Sequence, residues 1–202
     1  MDKQERATRT RESLVRAAAE VFAEEGFAAA SVATISRRAG VTTGGFHFHF
    51  AGKAALARAV EDRSVEAVRR IIDAARAAGE VAADPLRVLL DSTSALMTLL
   101  AEDVVVRAGF GLSADVSREG RIDVWGRWRL WVDELLEAAE RGGTLAEGVS
   151  PRDAARAVVA STVGLQVMGA AEPGWVGPET VARIWTLMLG GRAPSRSDKI
   201  TE

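Results

Sequence analysis

The 202-residue chain contains no cysteine, no tyrosine and no asparagine. Without cysteine there is no disulfide framework, no thiolate metal site and no catalytic thiol. Histidine is nearly as scarce, limited to His47 and His49. An H-x-H pair can chelate a metal from a strand, but in a helical context positions i and i+2 diverge. No third histidine completes a site, so no metal is expected. Long apolar runs are also missing: nothing reaches the roughly 18–20 uncharged residues of a membrane span. The opening stretch MDKQERATRTRESL is charged rather than apolar, which argues against a signal peptide. There is no G-x-S-x-G, P-loop, G-x-G-x-x-G or H-E-x-x-H motif. Acidic residues are plentiful but scattered, and no nucleophile, base or cofactor motif converges. Neither an enzyme nor a bound cofactor is expected.

What is present favours a packed helical protein. Hydrophobic residues make up 48% of the chain and the net charge is −2, a balance unlike that of a disordered segment. Alanine is abundant, and glycine and proline fall mostly between periodic segments, which points to an all-α, soluble, cytoplasmic protein. Charge is uneven. Residues 1–78 carry 13 basic and 10 acidic side chains, the remainder 13 and 18. The N-terminal part is thus mildly basic, far from a polycation that would bind nucleic acid by charge alone.

The periodicity of Leu14, Ala18, Val21 and Phe22 predicts a first helix ended by Gly26. Ser31 caps a short helix carrying Val32, Ile35 and Ala39 and closed by Gly40. A third short helix runs from Thr43 to about Phe48, with Phe46 and Phe50 sharing a buried face. Two short helices joined by a tight turn are a helix-turn-helix signal. Longer helices are expected at about 53–78, 86–102 and 117–141, with a shorter segment at 103–112 broken by Gly109 and Gly111. Ser150-Pro151-Arg152-Asp153 starts a helix to about residue 171, and Pro178 opens a last one, 181–189. These last two are too apolar for one core and suggest a subunit interface, a four-helix bundle formed by residues 151–170 and 178–189 of two copies. The end beyond Pro194 is polar and expected to fray.

The segment from Gly40 to Lys53 carries the chemistry. A recognition helix needs small or polar residues where its backbone nears base edges, and Thr42, Thr43, Gly44 and Gly45 supply them at a cost in helix propensity. His47 follows Thr43 by four residues, so both can face one groove. His49 and Lys53 are placed to reach phosphates. Residues 10–56 resemble the DNA-binding domain of the TetR family of bacterial regulators, through Ala39, Gly40, Val41, Gly44, His49, Phe50, Lys53 and Leu56. Thr42 stands for the usual Ser, Gly45 for Thr or Ala, and His47 for a phosphate-contacting Tyr. The resemblance implies about nine helices: a DNA-binding domain at 1–52, with its motif at about 31–50, and an effector-binding and dimerisation domain at 53–202. It further implies a homodimeric repressor released from a near-palindromic double-stranded DNA operator by a small molecule. Recognition helices would sit about 34–36 Å apart or a small multiple.

Trp128 and the run Ser161-Thr162-Val163-Gly164-Leu165-Gln166 are similar to receptors for γ-butyrolactone-type hormones. On that resemblance Trp128 walls an effector pocket among helices 86–102, 117–141 and 151–170. Thr162 and Gln166 would be polar partners of a lactone or furan-like molecule. From the residues alone, Gln166 within an apolar helix needs a hydrogen-bonding partner, which a ligand, a backbone group or its symmetry mate could supply. Trp125, Trp128 and Trp131 spiral around their helix, so they cannot share one pocket. A regulator answering a drug or lipid, and a helical interaction module without DNA binding, are the alternative readings.

Overall fold

The computed structural model describes residues 3–188. Among them lie nine α-helices and no strand, the all-α class expected. In chain order these are α1 (Lys3–Ala29), α2 (Val32–Arg38), α3 (Thr43–His49), α4 (Lys53–Ala77) and α5 (Pro85–Glu102). There follow α6 (Val104–Ala114), α7 (Val124–Arg141), α8 (Pro151–Ala171) and α9 (Pro178–Met188). A 3₁₀ turn, Pro173–Val176, precedes α9. The chain divides into two compact units. One holds residues up to Ile71 together with Leu99–Trp128, the other Ile72–Thr98 together with residues from Arg129 onward.

The first unit is built around α1. Leu14, Ala18, Val21 and Phe22 pack with Ile35 of α2, Phe46 of α3, Phe50, Leu56 and Val60 of α4, and Ala108 and Leu112 of α6. Each large side chain buried this way contributes about 1.5–3 kcal/mol, so the short helices α2 and α3 are held by packing rather than propensity. The apolar core therefore continues past residue 52. At Gly26 the backbone turns to φ 76°, ending the regular part of α1 and redirecting the chain at Phe27. Ser31 caps α2, its hydroxyl accepting from the Thr34 amide at 3.0 Å.

Two expectations for helix boundaries fail for physical reasons. Gly109 and Gly111 do not break a helix; α6 runs unbroken from Val104 to Ala114, capped by the Asp103 carboxylate. Gly109 is there for a close crossing with α4. A Cβ at that position would collide with the Ser64 hydroxyl and come within 2.9 Å of the Val60 carbonyl. Ser64 in turn donates to the Val106 carbonyl at 3.0 Å. The stretch 117–123, read as the first turns of a helix, is irregular. Gly120 adopts φ 67°, and α7 starts only at Val124, where Asp123 caps the Gly126 amide at 2.7 Å.

In the second unit Ser150 caps α8 as expected, accepting from the Asp153 amide. Ala155, Val158 and Leu165 of α8 are buried, as are Val181 and Trp185 of α9. On the opposite side of α8, Ala157, Ala160, Gly164 and Val167 form an exposed stripe. The last expected helical residue, Leu189, and the polar end after Pro194 lie outside the described residues.

Candidate nucleic-acid interface

Thr42 ends the turn after α2 and caps α3, its hydroxyl oxygen accepting from the Gly45 amide at 3.1 Å. Phe46 is fully buried and Phe50 nearly so, their rings 6.1 Å apart, which anchors one side of α3. The other side is exposed: Thr43, Gly44, His47 and Phe48 face outward, while Gly45 and His49 are half-buried. Neither glycine has a positive φ, and a Cβ would meet nothing nearer than 3.9 Å at Gly44 and 3.4 Å at Gly45. Nothing in the fold requires glycine at Gly44, yet it costs about 1 kcal/mol relative to alanine in a helix. That face is shaped for something outside the chain. Exposed Arg37 adds positive charge in the last turn of α2, a neighbour the sequence reading passed over.

Lys53 is also engaged within the chain. Its ammonium donates to the carbonyls of Phe27 at 2.6 Å, Ala28 at 3.1 Å and Ala30 at 2.8 Å. All three N–H groups are used, which gives Lys53 a structural role beside the phosphate contact read from sequence. Lys53 gathers the carbonyls released where Gly26 diverts the chain and fixes the start of α4 against them. Two cations lie over the Phe27 ring, the Lys53 ammonium 4.5 Å and the Arg118 guanidinium 4.6 Å from its centroid. Arg118 comes from the irregular stretch after α6. Buried there, it pairs with Glu61 of α4 at 2.6 Å and donates to the Leu112 carbonyl at 2.9 Å. The stretch is shaped by Asp115, whose carboxylate accepts from the Ser117 hydroxyl and amide. Those two bonds hold its pKa below the ordinary value.

Residues 14–60 match the model of the tetR family of bacterial regulatory proteins. The A-factor receptor protein of Streptomyces griseus is 33% identical over 190 residues. That match takes in 94% of this chain, which in turn spans 66% of the receptor's own length. A solved γ-butyrolactone receptor, described as ArpA-like, superposes with a TM-score of 0.78 at 28% identity, covering 91% of this chain and 87% of that one. CprB of Streptomyces coelicolor, a TetR family protein solved with its operator sequence, gives a TM-score of 0.78 at 29% identity. There the coverage is 94% and 91%. The chain belongs to the tetR family of bacterial regulatory proteins.

The residues this tetR regulator was expected to use for an effector are found in different surroundings. Trp128, in the first unit, is fully buried, and its indole N–H has no partner among the described residues. Trp125 is half-buried with its ring edge-on to Phe110 at 4.6 Å. In the second unit Thr162 is fully buried but donates to the Val158 carbonyl of its own helix at 2.8 Å. Gln166 is half-buried. Trp131 and Trp185, which the sequence reading gave no polar role, also have buried N–H groups without a partner among the described residues. A cavity of about 590 Å³ in the second unit is lined by Arg129, Asp133, Glu137, Glu140, Ser150, Pro151, Arg152 and Arg156. None of Trp128, Thr162 and Gln166 lines it. Its walls are charged, and Arg129–Asp133 pair at 3.0 Å.

Proposed function

We propose that this tetR regulator is a cytoplasmic repressor that holds a near-palindromic DNA operator as a homodimer and releases it on binding a small γ-butyrolactone-like molecule. The observation that carries the DNA reading is the exposed face of α3, with a dispensable glycine at Gly44 among groups able to hydrogen-bond. Thr42, Thr43, Gly44, Gly45 and His47 approach base edges and backbone, and His49 supports the same surface from its half-buried position. The test is Gly44→Ala. Its melting temperature should rise by roughly 2–4 °C, the worth of replacing a helical glycine. Affinity for duplexes selected from random-sequence DNA should nonetheless fall about tenfold, the loss of one base-edge contact. Equal affinity for the same duplexes would sink the assignment of this face.

The homodimer reading is supported by apolar surface on the last helices. Leu187 is 83% exposed and Val167 64%, with Met168 and Trp175 also open to solvent. The exposed stripe of Ala157, Ala160 and Gly164 beside Val167 permits close approach of a second helix. A Val167→Glu chain should sediment as a monomer at concentrations where the parent is a dimer, and should bind a two-half-site operator far more weakly. A dimeric variant would place the interface elsewhere.

The effector reading rests on the likeness to γ-butyrolactone receptors and on Trp128, whose buried indole N–H is available to a ligand carbonyl. Leaving such a group unsatisfied costs about 1–3 kcal/mol, which a bound lactone oxygen would recover. Such a molecule releases DNA only through a difference in affinity for two conformers. Mass spectrometry of material freed from the purified protein by denaturation tests this directly. A bound drug-like or fatty compound in place of a lactone would overturn the effector class while leaving the regulator intact.

A further inference from the structure

Phe48 stands out on the exposed side of α3. It is 79% exposed, although Phe46 and Phe50, the other phenylalanines of the helix-turn-helix, are buried in the core. Its ring meets that of His49 edge-on at 5.1 Å. Solvent gains nothing from a phenyl ring there, and burying it would be worth as much as burying Phe46 or Phe50. The helical rows explain its company. His47 lies one turn beyond Thr43, and Phe48 one turn beyond Gly44. The face thus carries a polar row and, beside it, a row that has a bare backbone followed by a large apolar ring.

A major groove presents donors and acceptors at every base pair, but only one apolar group, the C5-methyl of thymine. We propose that Phe48 is a specificity-determining residue that selects thymine in each half-site by packing on that methyl group. The small Gly44 one turn earlier lets the helix come close enough for the contact, and Thr43 and His47 serve the polar base edges alongside. This rests on the reading of α3 as a DNA-contacting helix. It adds a preference that hydrogen bonding alone does not supply.

The probe is the tightest duplex that the full-length protein recovers from random-sequence double-stranded DNA. Each thymine is replaced in turn by deoxyuridine, which removes the methyl and leaves base pairing intact. At one thymine per half-site the substitution should weaken the parent protein about fourfold, the worth of one buried methyl-sized group. Phe48→Ala should bind thymine and uracil duplexes equally, with unchanged thermal stability because the ring supports nothing in the core. Phe48→Leu should keep part of the discrimination. A parent protein that binds tightly but ignores uracil at every position overturns the proposal and leaves the DNA reading standing. So does a Phe48→Ala variant that retains the parent's uracil penalty. Failure to recover any duplex overturns both.

Discussion

Replacing Arg118 by methionine is expected to cost about 3–5 kcal/mol of stability and to lower the melting temperature by roughly 6–20 °C. The reason is the state in which it leaves Glu61, fully buried in α4, with one carboxylate oxygen already lacking a partner among the described residues. Removing the guanidinium strands that charge, and a buried ion loses more when its counter-ion is deleted than the pair contributes while intact. The loss also removes one of the two cations over the Phe27 ring. A Glu61→Leu, Arg118→Met double variant should recover most of the stability, because two apolar side chains of similar size suit the same space. Thermal denaturation of the two single variants and the double variant closes the cycle. A cost below about 1 kcal/mol for Arg118→Met would mean that water reaches Glu61 and the pair behaves as a surface contact.

Lys53→Ala should act on the fold before it acts on DNA. Three carbonyl acceptors lose a charged donor, worth about 3 kcal/mol together once partial exposure is allowed for, or roughly 6–12 °C in melting temperature. Operator affinity should fall because α4 and the end of α1 no longer hold the recognition helix in register. The dependence of affinity on salt separates this from the role read in the sequence. A lysine on a phosphate would reduce the slope of log K against log salt by about one unit when removed. A clamp on carbonyls leaves the slope where it was. A stable Lys53→Ala chain with a shallower slope would restore the phosphate role.

The helix-turn-helix was legible because its signals are local. Ser31, Gly40 and Thr42 act within a few residues of themselves, and the spacing of Leu14, Ala18, Val21 and Phe22 reports one packed face. The same holds for Ser150, which caps the helix that follows it. What escaped the sequence is what depends on distant partners. Gly109 reads locally as a breaker, but its meaning is the close approach of α4, more than forty positions earlier. Lys53 finds acceptors on Phe27, Ala28 and Ala30, and Arg118 finds Glu61, 57 positions away. The candidate site divides in the same way. Thr43, Gly44 and His47 could be placed on one face by helical period alone. Phe46 and Phe50, four apart, could be given the buried face in the same way, but the exposure of Phe48 could not, because it depends on which distant elements pack against α3.

The placement of the tryptophans has a practical consequence. All five lie between Trp125 and Trp185, and there is no tyrosine anywhere in the chain. Tryptophan emission from this protein therefore originates entirely outside the helix-turn-helix, in residues that do not touch DNA in the proposed docking. Operator added to the free protein brings no nucleobase next to an indole. Excited on the red edge of indole absorption, where nucleic acid is transparent, a rigid molecule with uncoupled parts would give the same spectrum with and without operator. Any change on adding operator is then an optical record of the conformational equilibrium itself, made without a label. By reciprocity, the factor by which operator shifts the emission-detected affinity for a small molecule equals the factor by which that molecule loosens operator. One cuvette experiment can thus measure the coupling between the two sites before the biological target gene is known.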